Sequence, residues 1–102
     1  MAEVRDFSHT KVGEVDSSGV IRNLAYAKIG EVDSSGHVRD LSYSRVGEID
    51  SSGTIRNASY TKVGEVQSDG TIRNAAYSKV GEIRGANMYH AGGAALLLLP
   101  LG

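Results

Sequence analysis

The sequence has no cysteine and no tryptophan, and one phenylalanine and one proline occur among its 102 residues. Without cysteine the chain forms neither disulfide bonds nor thiolate metal sites. Neither sign of charge is in clear excess, because 11 lysines and arginines face 12 aspartates and glutamates. Proteins that bind nucleic acid or anionic membrane surfaces usually carry a basic excess. The composition therefore predicts no nucleic-acid partner and argues against a membrane-surface partner.

Long apolar stretches are also missing. The longest, residues 94–99, is far shorter than the ~20 residues of a spanning helix, so we expect no membrane span. The first ten residues, MAEVRDFSHT, lack the apolar segment of a signal peptide, and we expect a cytoplasmic protein. A chain of this length fits a single domain, residues 1–102.

A 17-residue repeat dominates the chain, and its first copy reads KVGEVDSSGVIRNLAYA. Residues 3–10 match the second half of this unit, and residues 79–83 match the first half. The two half repeats complete a fifth unit, which predicts a closed ring without free sheet edges. The complete copies are residues 11–27, 28–44, 45–61 and 62–78.

Each unit is typical of a β-hairpin. Two short β-branched segments, KVGEV and VIRN, flank a DSSG turn whose glycine suits a left-handed position. This register places Glu14 opposite Arg22 and Val15 opposite Ile21, and a slip of one residue would break such pairs in every unit. We therefore predict an all-β fold, a closed ring of five β-hairpin units.

Two further positions recur in every unit. Gly13 and its equivalents lie inside a strand, which predicts a β-bulge or a close approach by another group. Tyrosines recur in the linkers between units, where His9 takes the fifth equivalent position. One interpretation is that each tyrosine packs on a glycine of the neighbouring unit. The tyrosines are Tyr26, Tyr43, Tyr60 and Tyr77.

The tail, residues 84–102, breaks the repeat and holds five of the chain's seven leucines. Residues 92–95 are small enough to pass through the centre of a ring. A domain this small needs apolar contacts, so one interpretation is that the tail supplies the core. The alternative is that the segment Ala94 to Leu101 is exposed and joins two copies into a homo-oligomer.

These units resemble a known family. Tandem copies of K-[VI]-G-E-[VI]-D-S-S-G-x-[VI]-R-[ND], followed by a tail rich in small residues and leucine, resemble small bacterial proteins described as five-fold β-flower proteins. The resemblance covers nearly the whole chain. It implies a five-petalled assembly of β-hairpins and brings no catalytic residue or cofactor with it. Two departures are Gln67, which replaces the turn aspartate of the fourth copy, and His37 at a Val or Thr position.

Residues with possible metal or catalytic chemistry favour structural interpretations. One carboxylate per turn is far short of a calcium site, so turn capping is favoured for Asp16, Asp33, Asp50 and Asp69. The histidines, His9, His37 and His90, share no metal-ligand spacing. The facing Glu and Arg residues are interpreted as cross-strand pairs and not as ion-binding rings. Neither a G-x-S-x-G motif nor a phosphate-binding glycine loop occurs, so we expect no enzyme activity, metal or cofactor.

Two functions remain open. The first is a structural or protein-interaction module that self-associates. The alternative is a ligand-binding module for a glycan or small polar ligand, with five repeated sites that provide avidity. In that alternative, Tyr26, Tyr43, Tyr60 and Tyr77 would stack on the ligand.

Overall fold

The computed structural model describes residues 2–99 and 101, which form a closed antiparallel barrel of ten strands with one helix inside. Met1, Pro100 and Gly102 lie outside the described residues. The two ends of the predicted domain and two positions of the predicted tail are therefore not described. In chain order the elements are β1 (Ala2–Asp6), β2 (Lys11–Val15), β3 (Val20–Asn23), β4 (Lys28–Val32), β5 (His37–Asp40), β6 (Arg45–Ile49), β7 (Thr54–Asn57), β8 (Lys62–Val66), β9 (Thr71–Asn74), β10 (Lys79–Ile83) and α1 (Met88–Leu98).

The two half repeats close the barrel. Strand β1 pairs with β10, and Arg5 lies opposite Glu82 in that pairing. In the first complete hairpin Glu14 lies opposite Arg22, which confirms the register expected from the charges. Every strand is hydrogen-bonded to a neighbour on each side, so the hairpins form one continuous wall and are not separate petals.

The core consists mainly of β-branched side chains that point inward. Side chains alternate along a strand, so each short strand contributes one such residue to the interior. Each fully buried Val or Ile contributes about 1.5–3 kcal/mol before the entropy of ordering the chain is subtracted. The ten residues are Val4, Val15, Ile21, Val32, Val38, Ile49, Ile55, Val66, Ile72 and Ile83, all buried.

The all-β closed arrangement of five hairpins is confirmed, and the tail adds one helix that the sequence did not predict. Asn87 caps the helix, and its side-chain oxygen accepts a hydrogen bond from the His90 N–H at 2.8 Å. The helix ends at Leu98, and the backbone of the following residue, Leu99, is extended. Proline follows Leu99 in the sequence, and a residue before proline is disfavoured in the helical conformation.

Small residues allow the helix to pass through the ring of Val and Ile side chains. A Cβ atom added to Gly92 would overlap Cγ1 of Ile49, and one added to Gly93 would lie 2.7 Å from Cβ of Val32. Ala91, Ala94 and the residues between them are fully enclosed. The expectation that this segment fits a narrow centre is therefore confirmed.

Beyond the small residues, five leucines each cover one strand glycine. A Cβ at any of these glycines would meet a leucine methyl group, so the absence of a side chain there leaves the space that leucine fills. The strand glycines also adjoin β-bulges, as predicted; one such shift lies between Ile21 and Arg22, opposite Gly30. The distances from the added Cβ are 2.7 Å for Gly13 and Leu98, 2.6 Å for Gly30 and Leu97, 2.5 Å for Gly47 and Leu96, 3.2 Å for Gly64 and Leu101, and 2.9 Å for Gly81 and Leu99.

This arrangement corrects one expectation and agrees with another. The residues that pack on the strand glycines are leucines of the tail and not the tyrosines of neighbouring units. The tail also belongs to the core, since Leu99 and Leu101 are only 6% and 7% exposed. Leu96, Leu97 and Leu98 are half-buried, and a homo-oligomer through the tail stays a prediction.

The DSSG turn provides a first prediction. Gly53 has φ +89°, and a Cβ there would lie 2.5 Å from the carbonyl oxygen of Val66. Gly53→Val is expected to lower the free energy of unfolding by more than about 1 kcal/mol, because a β-branched residue is strained at positive φ. Thermal melting measures the change, and Ser52→Val in the same exposed turn is the matched control. Equal melting temperatures for the two variants would contradict the assigned conformation.

Candidate functional site

The hairpin loops lie at the two ends of the barrel and share one geometry. At one end the Gly19 N–H donates to the Asp16 carbonyl at 3.0 Å, and at the other the Tyr26 N–H donates to the Asn23 carbonyl at 3.0 Å. The second end has five such turns, which we call the rim. The rim turns are residues 6–9, 23–26, 40–43, 57–60 and 74–77.

Aromatic residues occupy the left-handed position of every rim turn. Tyr26 has φ 67°, where the equivalent Gly19 has φ 87°. The left-handed region costs a residue other than glycine roughly 1–2 kcal/mol. The five strained residues are His9, Tyr26, Tyr43, Tyr60 and Tyr77.

Sequence reasoning placed these tyrosines in linkers and missed the turns. The signal was present in the spacing, because Asn23 precedes Tyr26 by the same three positions that separate Asp16 from Gly19. It was missed because tyrosine is not a usual residue for a left-handed turn position.

Local contacts hold the rim turns in place. The Asn23 side-chain oxygen accepts hydrogen bonds from the N–H groups of Ala25 at 2.9 Å and Ala27 at 3.1 Å. An arginine guanidinium also lies over each tyrosine ring and contributes about 0.5–1 kcal/mol at an exposed site. The distances to the ring centroids are 4.9 Å for Arg22 and Tyr26, 5.1 Å for Arg39 and Tyr43, 4.7 Å for Arg45 and Tyr60, and 4.7 Å for Arg73 and Tyr77.

The rim also collects the exposed apolar side chains. Among residues 2–99 and 101, every large hydrophobic residue that is exposed belongs to a rim turn. Besides the tyrosines these are Phe7, Leu24 and Leu41, which are 69%, 64% and 66% exposed and which we call the tips. The tips occupy three consecutive turns of the ring, and Ala58 and Ala75 take the same position in the other two.

Basic residues surround the rim. Five strands, β2, β4, β6, β8 and β10, begin with a cation that one residue separates from a rim turn. This cation pairs with a glutamate three residues further on; Lys28, for example, lies 3.0 Å from Glu31. In a second set, each arginine is the residue directly before a rim turn. Of the 11 basic residues only Arg84 lies outside these two sets. The first set is Lys11, Lys28, Arg45, Lys62 and Lys79, and the second is Arg5, Arg22, Arg39, Arg56 and Arg73.

A protein-family model described as 5-fold beta-flower protein matches residues 1–99. The chain belongs to the 5-fold beta-flower family. No curated protein and no solved structure matches it. Among the described residues of this beta-flower protein, no helix is long and apolar enough to cross a membrane.

The other end of the beta-flower barrel is acidic. Burial raises the pKa of Asp33, but hydrogen bonds from the His37 backbone and the Arg39 side chain outweigh that effect, and the pKa lies below its usual value. Hydrogen bonds from the backbone and side chain of Thr71 lower the pKa of Asp69 as well. Both carboxylates are therefore ionised at neutral pH, which keeps this end negative.

The turn acids of the beta-flower barrel bind their own backbone. Asp16, for example, accepts hydrogen bonds from the N–H groups of Ser18 at 2.9 Å and Val20 at 3.0 Å, which confirms turn capping. The structure does not bring the three histidines together: His9 lies 3.7 Å from Glu82, and His37 lies 3.6 Å from Asp33. Within residues 2–99 and 101, no cluster of three or more His, Asp or Glu side chains is suited to a metal ion.

The cross-strand Glu and Arg residues face one another, but their ion pairs run along the outer wall to other partners. Arg39 lies 3.0 Å from Asp33 of its own hairpin, while Lys62 lies 3.2 Å from Glu65. The predicted register is therefore confirmed, but the ion pairs join arginine to aspartate and lysine to glutamate and not the facing Glu and Arg residues.

A cavity beside the helix N-terminus is a smaller feature of the acidic end. The chain enters the barrel through residues 84–87 at the point where a fifth DSSG turn would lie. Between these residues and the fourth turn is a cavity of about 410 Å³, whose lining includes Gln67, Asp69 and Arg84. The cavity is open to solvent and is bordered mainly by the turn and the entering chain.

Proposed function

We propose that this beta-flower protein is a non-catalytic interaction module that binds its partner through the rim. The observation that supports the proposal is the left-handed aromatic position in all five rim turns. Glycine would fit this position with less strain, and the chain uses glycine at the equivalent position of the other end. Strained residues that persist in a small domain are typical of functional sites.

The architecture suits such a role. The rim turns connect strands of a closed barrel, so their side chains are presented on a rigid support. A rigid surface loses less conformational entropy on binding than a flexible one. Five repeated turns also allow several weak contacts to act together, because each further contact forms at a high effective concentration.

Self-association is one form of this proposal. The tail is packed inside the barrel, so a second copy would have to use the rim and its tips. Scattered exposed hydrophobic residues are ordinary, whereas a cluster of Phe7, Leu24 and Leu41 on one surface marks an interaction site.

A glycan or small polar ligand is the second candidate. It is favoured by the exposure of the tyrosine rings, which range from 54% for Tyr26 to 65% for Tyr43. The arginine over each ring already covers one face, so a sugar would have to stack on the opposite face. Binding to a glycan array that is lost in Tyr43→Ala and Tyr60→Ala would support this candidate.

The rim proposal predicts that stability and binding respond differently to Tyr43→Gly combined with Tyr60→Gly. Each change relieves about 1–2 kcal/mol of backbone strain and removes a cation–π contact of about 0.5–1 kcal/mol. The greater freedom of glycine in the unfolded chain costs a further ~0.5–1 kcal/mol. We therefore expect a nearly unchanged melting temperature together with weaker binding. Binding is measured against anionic lipid vesicles, single-stranded RNA, a glycan array and a second copy of the chain, the last by light scattering.

Arg84→Gln is the control for this experiment, because Arg84 is exposed and lies away from the rim. Binding to at least one of the four probes that falls in the tyrosine variant and not in the control supports the rim. Binding that is equal in both variants contradicts the proposal, as does an absence of binding to all four probes.

A further inference from the structure

The net charge of the barrel is close to zero, but its charges are divided unevenly between the two ends. The net charge is −1, but the five cations that begin β2, β4, β6, β8 and β10 lie next to the rim turns, whose own acidic residues are Asp6 and Asp40. The second set of arginines belongs to the wall, where Arg22 lies opposite Glu14 and pairs with Asp16. Acidic residues dominate the opposite end, where Asp16, Asp33, Asp50 and Asp69 lie in the turns. The rim is therefore the more basic of the two ends, and it complements an anionic surface. The balanced composition argued against a membrane-surface partner, but composition does not record which charges lie at which end of the barrel.

The rim is also apolar at its tips and at its centre. Helix α1 starts at the acidic end, where the Met88 sulfur lies 3.4 Å from the position of a Cβ on Gly53, and it runs toward the rim. Its last residues, Leu96, Leu97 and Leu98, are half-buried. The three exposed tips thus lie along one side of an apolar centre.

The shape of this face suits a flat partner. The tips come from equivalent turns of repeated hairpins, so they project from the same end of a molecule that measures 30 × 29 × 20 Å. Tyrosine is enriched at membrane–water interfaces, and lysine side chains reach from an apolar surface to lipid headgroups. Lys28 and Lys62 are 43% and 47% exposed, and their ion pairs with Glu31 and Glu65 lie at the surface, where such pairs are weak and exchange readily for a lipid phosphate.

A nucleic acid fits the same charges less well. Single-stranded nucleic acid is bound by aromatic rings whose faces are open for stacking, along a positively charged groove. Here a guanidinium lies over each of the four tyrosines at 4.7–5.1 Å, and the exposed residues at the tips include two leucines, which offer no stacking surface.

We infer that the rim docks the protein on an anionic lipid surface, with Phe7, Leu24 and Leu41 inserted between headgroups and the lysines in contact with lipid phosphates and carboxylates. This inference rests on the proposed function of the rim as a binding face. Because the tips occupy three consecutive turns, the barrel inserts this side of the rim more deeply than the side with Ala58 and Ala75. The protein lies on the membrane surface and does not span it.

Vesicle co-sedimentation tests the inference. We expect the protein to bind vesicles of phosphatidylcholine with phosphatidylserine, and to bind vesicles of phosphatidylcholine alone on the order of tenfold more weakly or worse. Leu24→Ala combined with Leu41→Ala should weaken binding by on the order of tenfold or more, because it removes two inserted side chains. Alanine already occupies this position in two other rim turns, so the fold of the variant should be unchanged. Thermal melting checks this point.

Charge variants provide the matched comparison. Lys28→Gln and Arg84→Gln change the net charge equally, but only Lys28 lies at the rim, next to the turn that carries the tip Leu24. Lys28→Gln should weaken binding to the anionic vesicles several-fold, and Arg84→Gln should leave it unchanged. Equal binding by the two charge variants would overturn the inference, and so would the absence of binding to anionic vesicles.

The two proposals fail in different ways. If the tyrosine variant loses binding to RNA, to a glycan or to a second copy while wild-type protein ignores vesicles, the rim remains the binding face and its lipid partner is wrong. If no probe depends on the rim residues, the proposed function itself fails.

Discussion

A chain that ends after Gly85 is expected to be unfolded, with no cooperative melting transition. The truncation removes the helix and the leucines that fill the barrel, so ten buried Val and Ile side chains would face an empty centre. Truncating one buried leucine to alanine typically costs about 2–5 kcal/mol, whereas an entire small domain is stable by about 5–15 kcal/mol. Loss of the whole tail therefore exceeds the stability available. Circular dichroism and light scattering measure the outcome.

A chain in which a Gly–Ser segment of equal length replaces residues 86–102 is the matched control. It keeps the length and changes only the side chains and the helix, and it should be unfolded as well. A truncated chain that folds as a monomer would show that the strands suffice alone, contrary to the role of the tail as core. If instead the full chain proved a dimer and the truncated one a folded monomer, the tail would be an interface.

Much of the wall of the barrel was predictable because its determinants are local. The turn residues DSSG specify a hairpin, and the alternation of side chains places Val15 and Ile21 on the same face. The complementary halves at residues 3–10 and 79–83 then imply closure. None of these steps needs information about distant contacts, and the pairing of Arg5 with Glu82 agrees with them.

The helix was not predictable from local preference. Two adjacent glycines, Gly92 and Gly93, argue against a helix in water because each costs about 1 kcal/mol relative to alanine. Inside the barrel the backbone N–H and C=O groups have little access to water and must pair with one another, which a helix achieves within one segment. The available space requires glycine at these positions, and the surrounding strands supply the stabilisation that the sequence of the tail lacks.

The candidate site was predicted in part. The sequence drew attention to Tyr26, Tyr43, Tyr60 and Tyr77 as repeated aromatic residues, and the structure brings all four to one rim. It did not predict the tips, because an exposed leucine such as Leu24 is indistinguishable in sequence from a core leucine. Nor did it predict the basic face, since the total charge does not record on which end of a barrel each residue lies.

Replacing both Gly92 and Gly93 with leucine is expected to leave the chain without a folded state. Two effects oppose each other here. A better helix former at each position would gain about 1 kcal/mol in an exposed helix. Inside the barrel the new Cβ atoms alone would overlap Cγ1 of Ile49 and approach Cβ of Val32 to 2.7 Å, before the rest of either leucine is accommodated. Overpacking by a few methylene groups costs about 1–3 kcal/mol, and two leucines add several such groups at the narrowest level.

A smaller substitution measures whether the gain in helix propensity or the cost of overpacking is larger. Gly92→Ala should lower the free energy of unfolding by up to about 2 kcal/mol, which is the overpacking cost of about 1–3 kcal/mol less a gain of about 1 kcal/mol in helix propensity. Combining it with Ile49→Ala removes the side-chain atoms that obstruct the new methyl group. The double variant should therefore be more stable than the sum of the single effects predicts, with a coupling of at least about 0.5 kcal/mol measured by urea unfolding. If Gly92→Ala instead stabilised the protein, the helix would have free space around it, and the strand side chains would not be what sets the sequence of the tail.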